Sequence, residues 1–241
     1  MMSDSHAPAI DYSHESAQIQ HVVWDWNGTL VDDVPQLVAS VNAACKEFGF
    51  REISESDYRR LFTRPIEVFY ELVAMRPLSI SECRRFDEII HERYAALVDQ
   101  VLPRRDAPSA VELAYREGLD QSILSMWFQD PLVQAVRASG CFVDETIVTG
   151  RIDWVTTKHE LLPRHLERIG ANPEHTIVIG DIVDDAIAAS RCGLRAVLVA
   201  GGAQASKVLR SSGYLVVDCP LEAVNWIVAQ RGGPETSGID L

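Results

Sequence analysis

Asp25 opens the run Asp25-Trp26-Asn27-Gly28-Thr29-Leu30, and a second acidic run, Gly180-Asp181-Ile182-Val183-Asp184-Asp185, stands far down the chain. Between them lie Ser125, closing an apolar run, and Lys158, opening a helical pattern. Brought together, these segments supply two or three carboxylates, a hydroxyl, an ammonium and backbone N–H groups. A carboxylate can attack phosphorus and form an aspartyl-phosphate, which splits one difficult displacement into two. The phosphoryl oxygens then need neutralising by an ammonium, a hydroxyl, amides and a divalent metal. Mg²⁺ suits such a site, because it takes hard oxygen ligands from one or two carboxylates and the substrate. Each residue also has a plainer reading: Ser125 as a helix cap, Lys158 as a solvated lysine, Asp181 and Asp185 as caps of the following helix.

The elements that must position these groups can be read from the apolar pattern. Short apolar runs at 21–25, 122–125, 176–180, 196–200 and 214–217, with a weaker one at 146–149, suit buried strands of a parallel sheet. Helical periodicity follows them at 131–139, 156–169, 185–192 and 221–230. Strand alternating with helix predicts a doubly wound, Rossmann-like α/β sheet. Ligands of such sheets collect beyond the carboxyl ends of the strands, where all four segments fall. One interval breaks the rhythm. About 95 residues separate the first strand from the second, with helical patterns at 34–48, 54–61, 66–74 and 79–98. Ser54 with Asp57 and Ser79 with Glu82 mark helix starts. Pro103 and Pro108 mark the return to the sheet.

Composition narrows the class of function. The 241 residues hold 47% hydrophobic and 24% charged side chains, close to globular averages. Thirty-five acidic against 22 basic residues give a net charge of −13, which repels nucleic acid and anionic membrane surfaces. No apolar run reaches the ~20 residues needed to span a bilayer. The N-terminal stretch has neither the basic nor the apolar region of a secretory signal. Five cysteines without a CxxC spacing point to free thiols in a reducing cytoplasm, not to a zinc site.

The segments DWNGTL, ILS, Lys158 and GDIVDD, in this order and spacing, resemble the haloacid dehalogenase superfamily of hydrolases. The similarity runs from about residue 20 to 230 and is greatest to the phosphoglycolate-phosphatase-like branch. It agrees with the division that the segments suggest, an α/β core at 20–33 and 104–231 and a helical cap domain at 34–103, with a polar, disordered tail expected at 1–19 and a flexible one at 232–241. It further implies that Asp25 is the nucleophile and a Mg²⁺ ligand, and that Asn27 offers its backbone carbonyl to the metal. Ser125 and the Met126 N–H would bind the phosphoryl group, and Lys158 would neutralise nucleophile and phosphate. Asp181 would be the principal acidic metal ligand and Asp185 a supporting one, with Asp184 in a variable position. In related caps the break at Thr63-Arg64 points into the site, where Arg64 would clamp a carboxylate or a second phosphate. The substrate class so implied is a small phosphorylated metabolite.

At one position the sequence departs from that pattern. The family's phosphatases carry a second aspartate two residues after the nucleophile, as general acid and base; here it is Asn27. An amide cannot donate and recover a proton at neutral pH. General acid–base catalysis is worth roughly 10²–10⁴-fold. Slow hydrolysis of alkyl phosphates is therefore expected, with Asn27→Asp expected to raise it. Two other readings stay open: cleavage of another bond by the same nucleophile, and binding of a phosphorylated ligand with little turnover. The first is weak, since 34–101 holds only one lysine, Lys46, where phosphonate cleavage relies on a cap lysine.

Overall fold

A computed structural model describes residues 18–140, 147–154 and 156–231. The expected tails at 1–17 and 232–241, together with Thr146 and Cys141, lie outside the described residues. Ile19 is already buried in the core and the Gln20 N–H donates to the His175 carbonyl, so the fold takes in residues assigned by sequence to the tail.

Six strands form one parallel sheet in the order β5-β4-β1-β6-β7-β8. They are β1 (His21–Trp24), β4 (Asp120–Phe128), β5 (Val148–Arg151), β6 (Thr176–Gly180), β7 (Arg195–Val199) and β8 (Leu215–Val217). Their residues are almost all buried, because α-helices cover both faces and leave no side of the sheet wet. β1 sits in the middle, with Trp24 level with Ile123 of β4 and with Ile179 of β6. The chain leaves β1 toward β4 on one side and returns to β6 on the other. That switch point brings Asp25, Ser125 and Asp181 to adjacent strand ends. β4 is longer than the apolar run at 122–125 suggests and carries an irregularity. Leu124 pairs with Thr149 and Phe128 with Arg151, so Ser125, Met126 and Trp127 bulge against Gly150 alone.

The long interval after β1 is helical, as its periodicity indicates. α1 (Val34–Phe48), α2 (Glu55–Leu61), α3 (Ile66–Ala74) and α4 (Ile80–Ala95) pack around their own apolar cluster of Val34, Val38, Tyr58, Phe69, Phe86 and Ile90. The Ser54 and Ser79 hydroxyls accept the Asp57 and Glu82 N–H groups at 3.1 and 3.3 Å, forming the two helix starts legible in the sequence. The outgoing and returning strands, β2 (Val31–Asp32) and β3 (Leu102–Pro103), pair antiparallel and fix both crossings side by side. The return does not run straight to the sheet. α5 (Ala107–Arg116) has Pro108 in its first turn, where the missing N–H costs nothing, and buries mainly small residues: Ala107, Ala110 and Ala114. The remaining helices are α6 (Gln129–Ser139), α7 (Lys158–Ile169), α8 (Val183–Arg191), the short α9 (Ser206–Arg210) and α10 (Pro220–Arg231). α9 also escaped the periodicity, being too short to show any. Among the described residues no helix is long and apolar enough to cross a membrane, and Cys45, Cys83, Cys192 and Cys219 carry free thiols.

One polar chain runs under the sheet. His165 of α7 bonds Thr149 Oγ1 through Nδ1 and Ser122 Oγ through Nε2, both at 2.8 Å. Burial lowers its pKa to about 4, assisted by His21 and Arg168. The unfolded chain binds a proton at this residue below about pH 6.5, whereas the folded chain resists it until about pH 4. Stability from neutral His165 is therefore full above pH 6.5 and drains away as pH falls toward 4. We expect His165→Gln to remove roughly 3 kcal/mol of acid dependence across that window, measured by urea unfolding at stepped pH. Parallel curves for the two proteins would contradict this assignment.

Candidate active site

Asp25 follows β1 directly, its N–H still bonded to the Ile179 carbonyl at 2.8 Å as in the ladder. The chain then turns back on itself, the Trp26 carbonyl accepting the Leu30 N–H at 3.0 Å. Gly28 makes this turn with φ +72°, and a Cβ there would overlap the Asp181 carboxylate. Gly202, in the loop after β7, approaches Asp181 from the other side as closely, so a Cβ there too would strike the carboxylate. Two glycines thus clear the space in which Asp181 stands.

Lys158, the first residue of α7, is 3% exposed and reaches inward. Its Nζ donates to Asp25 Oδ1 and to Asp185 Oδ1, at 2.5 Å each. Asp185 lies in the first turn of α8, where its other oxygen accepts the Ile182 N–H at 3.1 Å. Among the described residues Asp181 has no ammonium partner; it accepts the Ala203 N–H at 2.5 Å and the Thr29 hydroxyl at 3.4 Å. Asp25, Asp181 and Asp185 each offer an oxygen within 4.8 Å of the other two. Asp184 is not in this group.

Three buried carboxylates share one ammonium, and their acidities register the imbalance. Burial lifts the Asp25 carboxyl to about 7, with Asp185 adding to the rise and Lys158 opposing it. Asp181 is raised well above the usual range by burial and by Asp25 and Asp185. Burial disfavours the Lys158 ammonium, but Asp185 and Asp25 outweigh it and the net shift is upward. A set of hard oxygens with two negative charges in excess of its lysine is the donor chemistry that Mg²⁺ takes. Asp25, Asp181 and Asp185 fit that ion.

Ser125 lies on the β4 bulge and is 1% exposed. Its Oγ donates to Asn27 Oδ1 at 3.2 Å and accepts the Trp127 N–H at 3.1 Å. Met126, on the same bulge, lines a cavity of about 120 Å³ that reaches from Asp25, Lys158 and Asp181 up into the helical insert. Arg64 lines this cavity as the sequence suggests, with its Nε buried and unpartnered. Thr63 does not line it; its hydroxyl turns back to the Arg64 carbonyl at 3.4 Å. Trp127 forms part of the wall, edge-on to Tyr94 at 5.0 Å between centroids, whereas Trp26 belongs to the core.

Three further residues at this site escaped the sequence reading. Arg151 closes β5 and lies over Phe128 and Trp154, at 4.4 and 5.0 Å from the ring centroids. Its Nη2 bonds His91 Nε2 at 2.6 Å and Asp87 at 3.4 Å, both on α4, while its Nε is buried without a partner. Burial pushes the Asp87 carboxyl up, but His91, the Tyr70 hydroxyl and Arg151 outweigh it and the net shift is downward. The rule of searching strand ends would have found Arg151, had the weak run at 146–149 been extended by two residues. Asp33 and Tyr94 enclose the Asn27 amide. No spacing in the sequence connects them.

Comparison with known proteins agrees with this geometry. A family model described as haloacid dehalogenase-like hydrolase matches residues 22–199. The phosphoglycolate phosphatase of Synechococcus elongatus is 26% identical over 184 residues, 76% of this chain and 85% of that protein. Among solved structures, a hydrolase from Pseudomonas syringae has a TM-score of 0.73 at 22% identity, covering 87% of this chain and 98% of its own. A haloacid dehalogenase-like family hydrolase from Streptococcus pneumoniae has a TM-score of 0.74 at 18% identity, again with 87% and 98% covered. At these identities the structural likeness speaks for the fold.

The glycine contacts give a direct test of the carboxylate cluster. A Cβ added at Gly202 meets Asp181 first, so Gly202→Ala would displace that carboxylate. We expect divalent-metal affinity, measured by titration calorimetry with Mn²⁺, to fall about tenfold or more, as outer-shell changes do at metal sites. Unchanged affinity would remove Asp181 from the cluster's function.

Proposed function

Because the chain belongs to the family of haloacid dehalogenase-like hydrolases, we propose that it is a Mg²⁺-dependent phosphatase of small phosphomonoesters, acting through an aspartyl-phosphate. The observation that carries this reading is the buried pairing of Lys158 with both Asp25 and Asp185, with Asp181 alongside. Lys158 occupies Oδ1 of Asp25 and leaves Oδ2 to attack phosphorus in line. The ester oxygen departs with the P–O bond electrons, and Asp25 becomes an acyl phosphate. The Met126 N–H holds one phosphoryl oxygen, Ser125 Oγ holds another by turning its one hydrogen from Asn27 Oδ1 to the phosphoryl group, and Lys158 offsets their charge. A water molecule then attacks phosphorus, phosphate leaves and the carboxylate is restored. Asp25, Asp181, Asp185 and the Asn27 carbonyl would hold Mg²⁺, which when bound supplies positive charge to the phosphoryl oxygens and to the carboxylate cluster.

Asn27 limits the leaving group. Without a proton from position 27, a leaving oxygen of low basicity, such as a phenolate, departs more readily than an alkoxide, by roughly 10²–10⁴-fold on general-acid magnitudes. The cavity favours a second anionic group on the substrate, because Arg64 and Arg151 both line it with buried, unpartnered Nε groups. Phosphoglycolate, named for the relative from Synechococcus elongatus, carries such a group in its carboxylate. The same reading puts the protein in the cytoplasm with a phosphorylated metabolite as its partner. Asn27 also supports a second reading, a binding or regulatory protein with little turnover.

Phosphate release from p-nitrophenyl phosphate in Mg²⁺ tests the main reading. Asp25→Asn should lower kcat by about 10³-fold or more, and chelation by EDTA should stop release. Multiple turnover that survives Asp25→Asn would discard the mechanism, and binding with no turnover on a broad panel of phosphate esters would favour the second reading. Arg64→Ala should raise KM for phosphoglycolate about tenfold and leave KM for the aryl ester nearly unchanged, the difference being the lost carboxylate contact.

A further inference from the structure

The amide of Asn27 is held on every side. Its Nδ2 donates to Asp33 Oδ2 at 2.6 Å and to Tyr94 Oη at 3.0 Å, and its Oδ1 accepts from Ser125 Oγ at 3.2 Å. Asp33 is 0% exposed. It also accepts the Gly28 N–H at 2.9 Å and the Tyr94 O–H at 2.7 Å. Among the described residues no lysine or arginine pairs with it; burial raises its pKa, opposed by the donors Asn27, Tyr94 and Gly28 and by its own N–H. The orientation of the amide follows from chemistry: Asp33 offers only acceptors, so the nitrogen of Asn27 must face it and the oxygen must face Ser125. Asp33 is the residue before α1 and Tyr94 stands in the last turn of α4. Both are anchored where the helical insert joins the sheet, beside Asp25.

We propose that Asp33, assisted by Tyr94, is a positioning residue for the leaving-group side of the active site, and that the residues at 27 and 33 form one exchangeable amide–carboxylate pair. This rests on the phosphatase reading above. Asp33 turns the hydrogen-bearing end of Asn27 away from the cavity and presents its oxygen to Ser125, so Asn27 orders the Ser125 hydroxyl and gives no hydrogen to the leaving oxygen. The pair also changes what a substitution at 27 can do. A carboxylate there would set acceptor against acceptor at the 2.6 Å contact with Asp33. On this reading Asn27→Asp alone lowers turnover, the opposite of what the sequence suggests. Exchanging both residues keeps every contact: the bond between 27 and 33 and the two to Tyr94 reverse their polarity, while 33 still accepts from Gly28 and 27 still accepts from Ser125. An amide at 33 accepts the Gly28 N–H through its oxygen and donates to the carboxylate at 27 through its nitrogen, while the Tyr94 O–H rotates to that carboxylate.

The test is a double-mutant cycle of Asn27→Asp, Asp33→Asn and the exchange of both, assayed with p-nitrophenyl phosphate and glycerol 2-phosphate and followed by thermal denaturation. Each single variant should lose about tenfold or more in kcat on the aryl ester with little change in KM, as expected when a hydrogen bond to a charged group is broken next to the reacting atoms. The double variant should regain kcat on the aryl ester to within about threefold and, with a carboxylate restored at 27, exceed the wild-type rate on the alkyl ester by about tenfold or more. Additive losses in the double variant, or a gain in alkyl turnover from Asn27→Asp alone, would overturn the proposal. Should Asp33→Asn not fold, Tyr94→Phe removes one donor of the clamp, and a fall in kcat without a rise in KM supports it; an unchanged kcat overturns it. If the wild-type protein turns over nothing, the phosphatase reading has failed on its own. The melting temperatures then still read the pair: recovery in the double variant supports it and additivity refutes it.

Discussion

Asp25, Asp181 and Asp185 are buried within reach of one another around a single ammonium, that of Lys158. Removing one such charge from water costs several kcal/mol even after relaxation, and like charges at this spacing add repulsion. A fold keeps that arrangement only if the rest of the structure holds the groups against it. The central position of β1 does much of this, because Asp25 and Asp181 leave adjacent strands whose register is locked by a fully covered parallel ladder. The first turns of α7 and α8 supply Lys158 and Asp185 from rigid helix starts. Gly28 and Gly202 then clear room for the third carboxylate, that of Asp181.

The helical insert is fastened to this centre at three places, each involving a group close to the carboxylates. The loop after β7 gives its Ala203 N–H to Asp181, and two residues on it grip the insert: Ala205 N–H bonds the Arg59 carbonyl at 2.9 Å and Gln204 Nε2 the Phe62 carbonyl at 3.2 Å. Gln204 also accepts the Val183 N–H at the start of α8, the helix of Asp185. On the opposite side Arg151 reaches from β5 to His91 and Asp87 of α4. At the hinge, Tyr94 meets Asp33. Movement of the insert must therefore disturb groups that bond directly to Asp181, to the helix of Asp185 and to Asn27.

How much of this the sequence disclosed depended on the kind of signal. Strong periodicity placed α1 and α3 to the residue and the 176–180 strand likewise, because buried strands and amphipathic helices write their burial into consecutive residues. α5 was invisible for the opposite reason: its buried face is mostly alanine, and alanine is as common on surfaces. Strand-end logic picked out Asp25, Ser125, Lys158, Asp181 and Asp185, which the structure brings together. It overreached at Thr63, because a loop between helices can be located from sequence but the direction of its side chains cannot. It fell short at Asp33, Tyr94 and Arg151, whose importance lies in contacts across 6, 67 and 60 positions of chain that no local pattern encodes.

The position that looked most like a deficiency acquires a different meaning from those contacts. By sequence alone, Asn27 is a carboxylate removed from the place where the family's phosphatases keep one. In the fold a carboxylate is present on the same side of the site, that of Asp33, but it is buried behind the amide with all its oxygens engaged. Loss of charge at 27 and presence of charge at 33 are then one structural fact. An aspartate at 27 would set a second carboxylate directly against Asp33, whereas an asparagine gives Asp33 the hydrogen it needs and adds no charge. The carboxylate cluster alone does not require this, since the family's phosphatases carry it with an aspartate at that position; it is the contact with Asp33 that accounts for an amide here.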